Sequence, residues 1–199
     1  DKVRTLIDPT SAYASAAAFA LGRSMDDEII AAATGNAFTG ATGSTSTPLG
    51  AGQAITESGT DGLTLAKLRT AKEKFDLASV DPSLPRFMVV GPRQISDLLG
   101  TTSVTSSDFN TVKALVNGEV DTFMGFKFIT STRLAIAASK RLCLAFAGDG
   151  IKLALGKDVM TRIDERSDKG YSTQVYVCMS IGATRMEEDK VVTIEAHEA

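Results

Sequence analysis

Histidine is almost missing from this chain. The single copy, His197, lies near the last residue between Glu195 and Glu198. A zinc constellation or a Ser-His-Asp triad would have to draw on it, and a frayed, solvated terminus is the expectation for it. Cysteine is scarce too. Cys143 and Cys178 sit inside apolar strand patterns. Two are too few for a disulfide framework, and both are expected to be small buried apolar residues in a chain of cytoplasmic origin. There is no basic excess: 21 Lys and Arg stand against 24 Asp and Glu, a net charge of -3. That leaves no electrostatic footprint for direct nucleic-acid binding. No run of 18 apolar residues occurs, so no membrane-spanning helix is expected. The opening DKVRTLIDP has neither an apolar signal-peptide core nor an initiator Met, and residues are expected to precede Asp1. No sequence repeat is present.

Two chemical motifs are approached and missed. The stretch from Gly150 to Gly156-Lys157 resembles a phosphate-binding loop, but its spacing is one residue too long, Asp158 stands where Ser or Thr is required, and the segment alternates like a strand. Asp26, Asp27 and Glu28 cluster as acid–base or divalent-ion ligands do. Three consecutive helical residues point in different directions, so a solvated or interface-facing charge run is the expectation. No catalytic residue, cofactor site or metal site is expected.

What is present is length of strand. With 199 residues, 43% of them hydrophobic, the chain can bury a sizeable core as one ordinary domain or two small ones. From Val159 to Met186 it is mostly one long strand pair. Tyr171, Thr173, Val175, Val177, Met179 and Ile181 fall at period two, with Ser172, Gln174 and Ser180 between them. That alternation predicts a half-buried strand, far longer than the usual run of about 5–6 residues. Such a ribbon adds little to a small domain's core. It gives a subunit contact surface to lay along its neighbours, which points to a building block rather than a catalyst.

Asp8-Pro9 is a helix start, with Asp as N-cap and Pro first in the helix. The helix is predicted to run to about Thr34, with Gly35 as its stop. Ala14, Ala18, Leu21, Met25 and Ile29 form a thin stripe at helical spacing, while Arg23 and Asp27 lie opposite, four apart and able to pair. Residues 35–62 are rich in Gly, Thr and Ser and read as flexible linker or surface loop, with short strand pieces at Ala37–Thr39 and Gln53–Thr56. A second amphipathic helix carries Leu65, Leu68, Ala71, Phe75 and Ala78, with Lys67, Arg69, Lys72 and Lys74 mostly on its wet side. A buried strand at Arg86–Val90 and a short helix after Gly91-Pro92, with Ile95, Leu98 and Leu99, follow. Next come a polar loop, a helix capped by Ser107, a strand at Phe126–Ser131, and strands at Leu142–Ala147 and Ile151–Leu155 around Gly148-Asp149-Gly150, a hairpin signal. Helices and strands interleave without a βαβ rhythm, so the fold class is α+β with a mixed sheet. The charged turns ERSDKG (Glu165–Gly170) and EEDK (Glu187–Lys190) are either solvated tips or inter-subunit salt-bridge sites.

The order of these parts and three strings carry a resemblance. DPTSAYASAAAFALGRSMDDEIIAAATG resembles the long helix of tailed-phage major capsid proteins. VDTFMGFKFITSTRL resembles that family's strand with Gly-Phe at its start and Ser/Thr and Leu after it. GDGIKLALGKDVMTRIDERSDKGYSTQVYVCMSIGATRME resembles its late hairpin and long strand pair. Nearly the whole chain is covered. The resemblance is to the Hong Kong 97 type, and implies a long spine helix, a mixed-sheet axial domain and long peripheral strands. The implied division is a first peripheral part over 1–62, an axial domain over 63–158, and return strands with the C-terminus over 159–199.

The family's N-terminal arm and extended loop are not in this chain, and no Lys and Asn motif for covalent cross-linking is found. The implied function is a structural subunit that assembles with itself, as pentamers and hexamers, into the icosahedral shell around a phage genome. Double-stranded DNA would be enclosed without sequence-specific binding; scaffolding, portal or decoration proteins are further expected partners, and no membrane is. The subunit would assemble in the bacterial host cytoplasm. Inter-subunit contacts are expected at Arg23, Asp26 and Asp27 on the helix and at Glu165, Arg166, Asp168 and Lys169 on the tip, near three-fold axes. Thr101, Thr102 and Ser103 are expected at the capsomer centre. The Gly-rich stretch is expected to bend to suit different shell positions. An encapsulin-like compartment shell protein, a tail or adhesive component, and a metal enzyme using Asp26, Asp27 and Glu28 are the alternatives.

Overall fold

A computed structural model of the chain describes residues 9–56, 59–100 and 122–198. The Asp8 cap, the loop with Thr101, Thr102 and Ser103, and the helix expected from Ser107 lie outside them. In chain order the elements are α1 (Pro9–Thr34), β1 (Ala37–Thr39), β2 (Thr45–Thr47), β3 (Ala54–Ile55), α2 (Leu65–Leu77), β4 (Arg86–Val90), α3 (Pro92–Gly100), β5 (Thr122–Phe123), β6 (Phe126–Thr130), β7 (Ile136–Ala137), β8 (Lys140–Ala147), β9 (Ile151–Arg166), β10 (Ser172–Arg185) and β11 (Val191–His197). Short 3-10 turns stand at Ala51–Gln53, Ser167–Lys169 and Glu188–Lys190. The contacts divide the chain into two compact units, residues 1–29 with 153–183 and residues 30–152 with 184–199.

The second unit is built on a mixed seven-stranded sheet in the order β3-β11-β8-β4-β6-β5, with β7 added on β8. The β3–β11 and β4–β6 pairs are parallel, and the other pairs are antiparallel. Val191, Val192, Thr193 and Ile194 are buried in succession, the pattern of a strand covered on both faces. β11 pairs with β8 over its whole length, from Val191 opposite Phe146 to His197 opposite Lys140. α2 starts where the Thr64 hydroxyl accepts from the Lys67 N–H, and it buries Leu68, Ala71 and Phe75. Phe75 meets Phe126 with ring centroids 6.0 Å apart. The face predicted for α2 is thus the buried one.

The first unit holds α1 up to Ile29 and most of the β9–β10 ribbon. α1 closes at Gly35, whose N–H donates to Ala31 O. Its half-buried positions include Ala14, Ala17, Leu21, Met25 and Ile29; Ala18, expected in the stripe, is exposed and Ala17 replaces it. β9 has 16 residues and β10 has 14, so at about 3.3 Å per residue the ribbon is roughly 50 Å long.

Four expectations change. Gly148-Asp149-Gly150 does form a turn, with the Gly150 N–H donating to Ala147 O, but β8 and β9 do not pair. Both edges of β8 are already taken, by β4 and β11. Lys67 is not on the wet side of α2: it is only 8% exposed, because its ammonium donates to the carbonyls of Asp61, Gly62 and Glu195 at 2.9, 2.8 and 3.0 Å. His197 is no frayed end. It closes β11, and its N–H donates to Asp61 O at 3.1 Å.

The Gly-rich stretch is not a free linker either. β1 and β2 form a hairpin in it, β3 joins the sheet, Gln53 donates to Asp189, and Lys74 donates to Gly52 O. The contacts divide at 29/30, 152/153 and 183/184, with β3 and β11 both in the sheet; the peripheral and axial parts implied by the resemblance remain a matter for proposal.

Candidate functional site

The sequence concentrates unusual surface in the ribbon. Leu153, Leu155, Val159 and Ile163 are all exposed, 39–54%, at alternate positions of β9. Tyr171 and Tyr176 add exposed aromatic area, and α1 exposes Tyr13 and Phe19. Scattered apolar residues on a surface are ordinary, but a row of them at one strand's period marks an interaction face. The tyrosine and β10 alternation was legible in the sequence. The β9 row was missed, although its period-two spacing was there to be read.

At the ribbon tip, Gly170 at φ +62° and Tyr171 at φ +57° turn the chain, and the Tyr171 N–H donates back to Arg166 O. The expected contact residues Arg166 and Asp168 pair with each other. The guanidinium donates to both carboxylate oxygens, Nε to Oδ1 at 2.8 Å. That bond holds the Asp168 carboxyl below its ordinary range and the Arg166 pKa above its own. Glu165 and Lys169 are exposed beside them. On α1, Arg23 and Asp26 are exposed and Asp27 is half-buried.

EEDK, the other charged turn, is engaged within its own subunit. Lys190 donates to Asp149 Oδ2 at 2.7 Å and to Glu187 Oε1 at 2.9 Å, which raises its pKa and lowers that of Asp149. Asp189 takes Gln53 at 2.9 Å.

A different cluster sits within the second unit, around Arg185. Arg185, 5% exposed, donates from Nη1 to Ala33 O and Gly35 O at 3.2 and 2.8 Å, and from Nη2 to Thr47 O at 3.1 Å. The next residue, Met186, donates its N–H to Gly150 O at 2.9 Å. α1 has no basic residue in its own last turn, and Arg185 supplies the cation that the negative end of a helix favours. Nothing in the local sequence of α1 marks that partner.

Chemically active groupings are not assembled. Among the described residues no group of three or more His, Cys, Asp and Glu could hold a metal ion. Burial pushes the Cys143 thiol up to about 12, which leaves it an inert apolar filler. A concavity of about 700 Å³ beside Lys72, Asp76, Val80, Leu84, Arg86 and Met124 holds an Arg86–Asp76 ion pair at 2.8 Å. Ser79 lines it as well, and the Asp76 carboxylate there is engaged by Arg86.

Long exposed strands and a long thinly buried helix are thus the main surface features of the described residues. The model of the phage capsid protein family matches residues 1–198. The chain belongs to the phage capsid protein family. No curated protein matches it. Among solved structures it is similar to one from Mycobacterium phage Che8, at 18% identity and TM-score 0.68, covering 92% of this chain and 62% of that one. It is similar to the capsid of cyanophage P-SCSP1u, at 18% and 0.69, covering 100% and 69%. The holo-SrpI encapsulin of Synechococcus elongatus is similar as well, at 11% and 0.62, covering 100% and 69%. The fold is the Hong Kong 97 type of phage capsids. This capsid-family chain spans 62% of the Che8 chain's length, and family membership points to a structural rather than an enzymatic role.

Proposed function

We propose that the protein is a major capsid protein that assembles with itself, as pentamers and hexamers, into the icosahedral shell around a phage genome. The observation that carries this reading is the family match over residues 1–198, joined to an exposed ribbon whose apolar row has no use inside one subunit. In this reading α1 and the ribbon are the peripheral domain, and the seven-stranded sheet is the axial domain facing the capsomer axes. The tip with Glu165, Arg166, Asp168 and Lys169 lies near three-fold axes, and Arg23, Asp26 and Asp27 face a neighbour. The segment of Thr101, Thr102 and Ser103 lines the capsomer centre.

A net charge of -3 suits a shell that encloses double-stranded DNA without reading its sequence. Scaffolding, portal or decoration proteins are the further partners, and assembly takes place in the host cytoplasm. Many weak contacts add up in such a shell, and heterologous contacts close only where the rotation closes.

The encapsulin likeness favours a second reading, a compartment shell around protein cargo. Negative-stain microscopy of the full-length product, followed by nuclease treatment and analysis of the contents, tests both. Closed shells with nuclease-protected DNA support the capsid. Closed shells around a defined protein cargo support the compartment. A uniform monomer, even after adding a scaffolding protein, overturns both.

A further inference from the structure

The outer row of β9 is self-complementary. Alternate strand residues share a face. Met160, Arg162 and Asp164 line a groove with Gln174 and Tyr176 on one face of the ribbon, so Lys157, Val159, Thr161, Ile163 and Glu165 occupy the other. All five are exposed. About Thr161 as centre, Lys157 corresponds to Glu165 and Val159 to Ile163. The two charges are eight residues and about 27 Å apart along the strand, too far to pair with each other in one chain.

We propose that this row is an isologous contact: two copies of the chain lay their β9 faces together, antiparallel, about a two-fold axis through Thr161. Lys157 of each copy then meets Glu165 of the other, Val159 packs on Ile163, and the two Thr161 residues face each other. A two-fold contact requires such reciprocity, residue i to j and j to i. The opposite arrangement, edge to edge in the same register, is disfavoured. It would set Asp158 opposite Asp164, and like charges directly opposite repel. Face-to-face ribbons lie about 10 Å apart, which keeps the aspartates on the outer faces. The proposal rests on the shell reading and deepens it by naming one contact between neighbouring subunits.

Charge reversal with rescue tests it. Lys157→Glu alone and Glu165→Lys alone each place like charges across the axis, and each is expected to raise the protein concentration needed for shells by about tenfold. The Lys157→Glu, Glu165→Lys double variant restores the opposite pairing and should return to within about threefold of the native value. In a Cys178→Ser background, Thr161→Cys should give a covalent dimer with a bis-maleimide of about 10 Å span, whereas Lys157→Cys should not, since its copies would lie about 27 Å apart.

Additive losses in the double variant, with no 161–161 dimer in shells that do form, overturn the contact and leave the shell reading standing. A 161–161 dimer in solution with no shells under any condition keeps the contact and removes the shell. Neither shells nor dimer overturns both. Circular dichroism on each variant separates misfolding from lost contact.

Discussion

Lys67 divides the protons of its ammonium among the carbonyls of Asp61, Gly62 and Glu195. It thereby ties the chain before α2 to β11, the strand between β3 and β8. A buried carbonyl that loses its donor costs about 1–3 kcal/mol, and some of the three would recover water, so Lys67→Met should lose about 2–4 kcal/mol in urea unfolding. Glu198 makes a comparable tie on the far side of β11. It accepts from Arg141, with Nη2 at 3.0 Å, and from Gln94 at 3.3 Å, and its carboxyl is held below the usual value by the Arg141 bond. A depressed carboxyl contributes stability above its unfolded pKa, near 4.5, and loses it as pH falls through the folded value. Glu198→Gln should therefore lower the Tm at neutral pH, and the gap to the native protein should close below about pH 4.5. A gap that stays constant down to pH 3 would place the stabilisation elsewhere.

At the scale of elements, the end of α1 depends on a residue 150 positions away. Arg185→Ala removes the donor to Ala33 O, Gly35 O and Thr47 O. It should cost about 1–3 kcal/mol and speed amide exchange over residues 31–35 more than over the middle of α2. Arg185→Lys keeps the charge without the fork and should fall between. α1, α2, β4, α3 and the strand pair were legible in the sequence because each is fixed locally. Pro9 and Gly35 bracket α1, Leu68, Ala71 and Phe75 share a helical face, and Val175 to Ile181 alternate. The strand pieces of the Gly-rich stretch, now β1 and β3, and the turn at Gly148–Gly150 were legible too, but the pairing of β3, the missing pairing of β8 with β9 and the place of β11 were not, since long-range pairing decides them. Gly50, Gln53 and Ala54 carry no local sign that Glu188, Asp189 and Thr193 await them. The tip residues Glu165 to Lys169 stood out by composition, whereas the Arg166–Asp168 pairing depends on a turn with positive φ at Gly170 and Tyr171.

For the whole molecule, the proposed contact at the exposed tip predicts assembly that is sensitive to salt, because exposed charges are screened within about 8 Å at physiological ionic strength. Asp168→Ala with Lys169→Ala should weaken the joining of capsomers, seen as fewer closed shells at a given protein concentration, while the subunit's Tm stays within about 2 °C. Unchanged shell yield in that double variant would remove the tip from the contact.

β11 has a consequence in the order of synthesis. It lies inside the sheet, between β3 and β8, yet it is translated after both. Until residues 191–197 leave the ribosome, β8 keeps an open edge opposite Lys140 to Phe146, and Arg185 reaches the end of α1 only shortly before. Domains form as units while the chain grows from its N-terminus. A ribosome that stops early on this message releases a chain whose β8 edge stays open, and the proposed shell would then draw on subunits translated through β11.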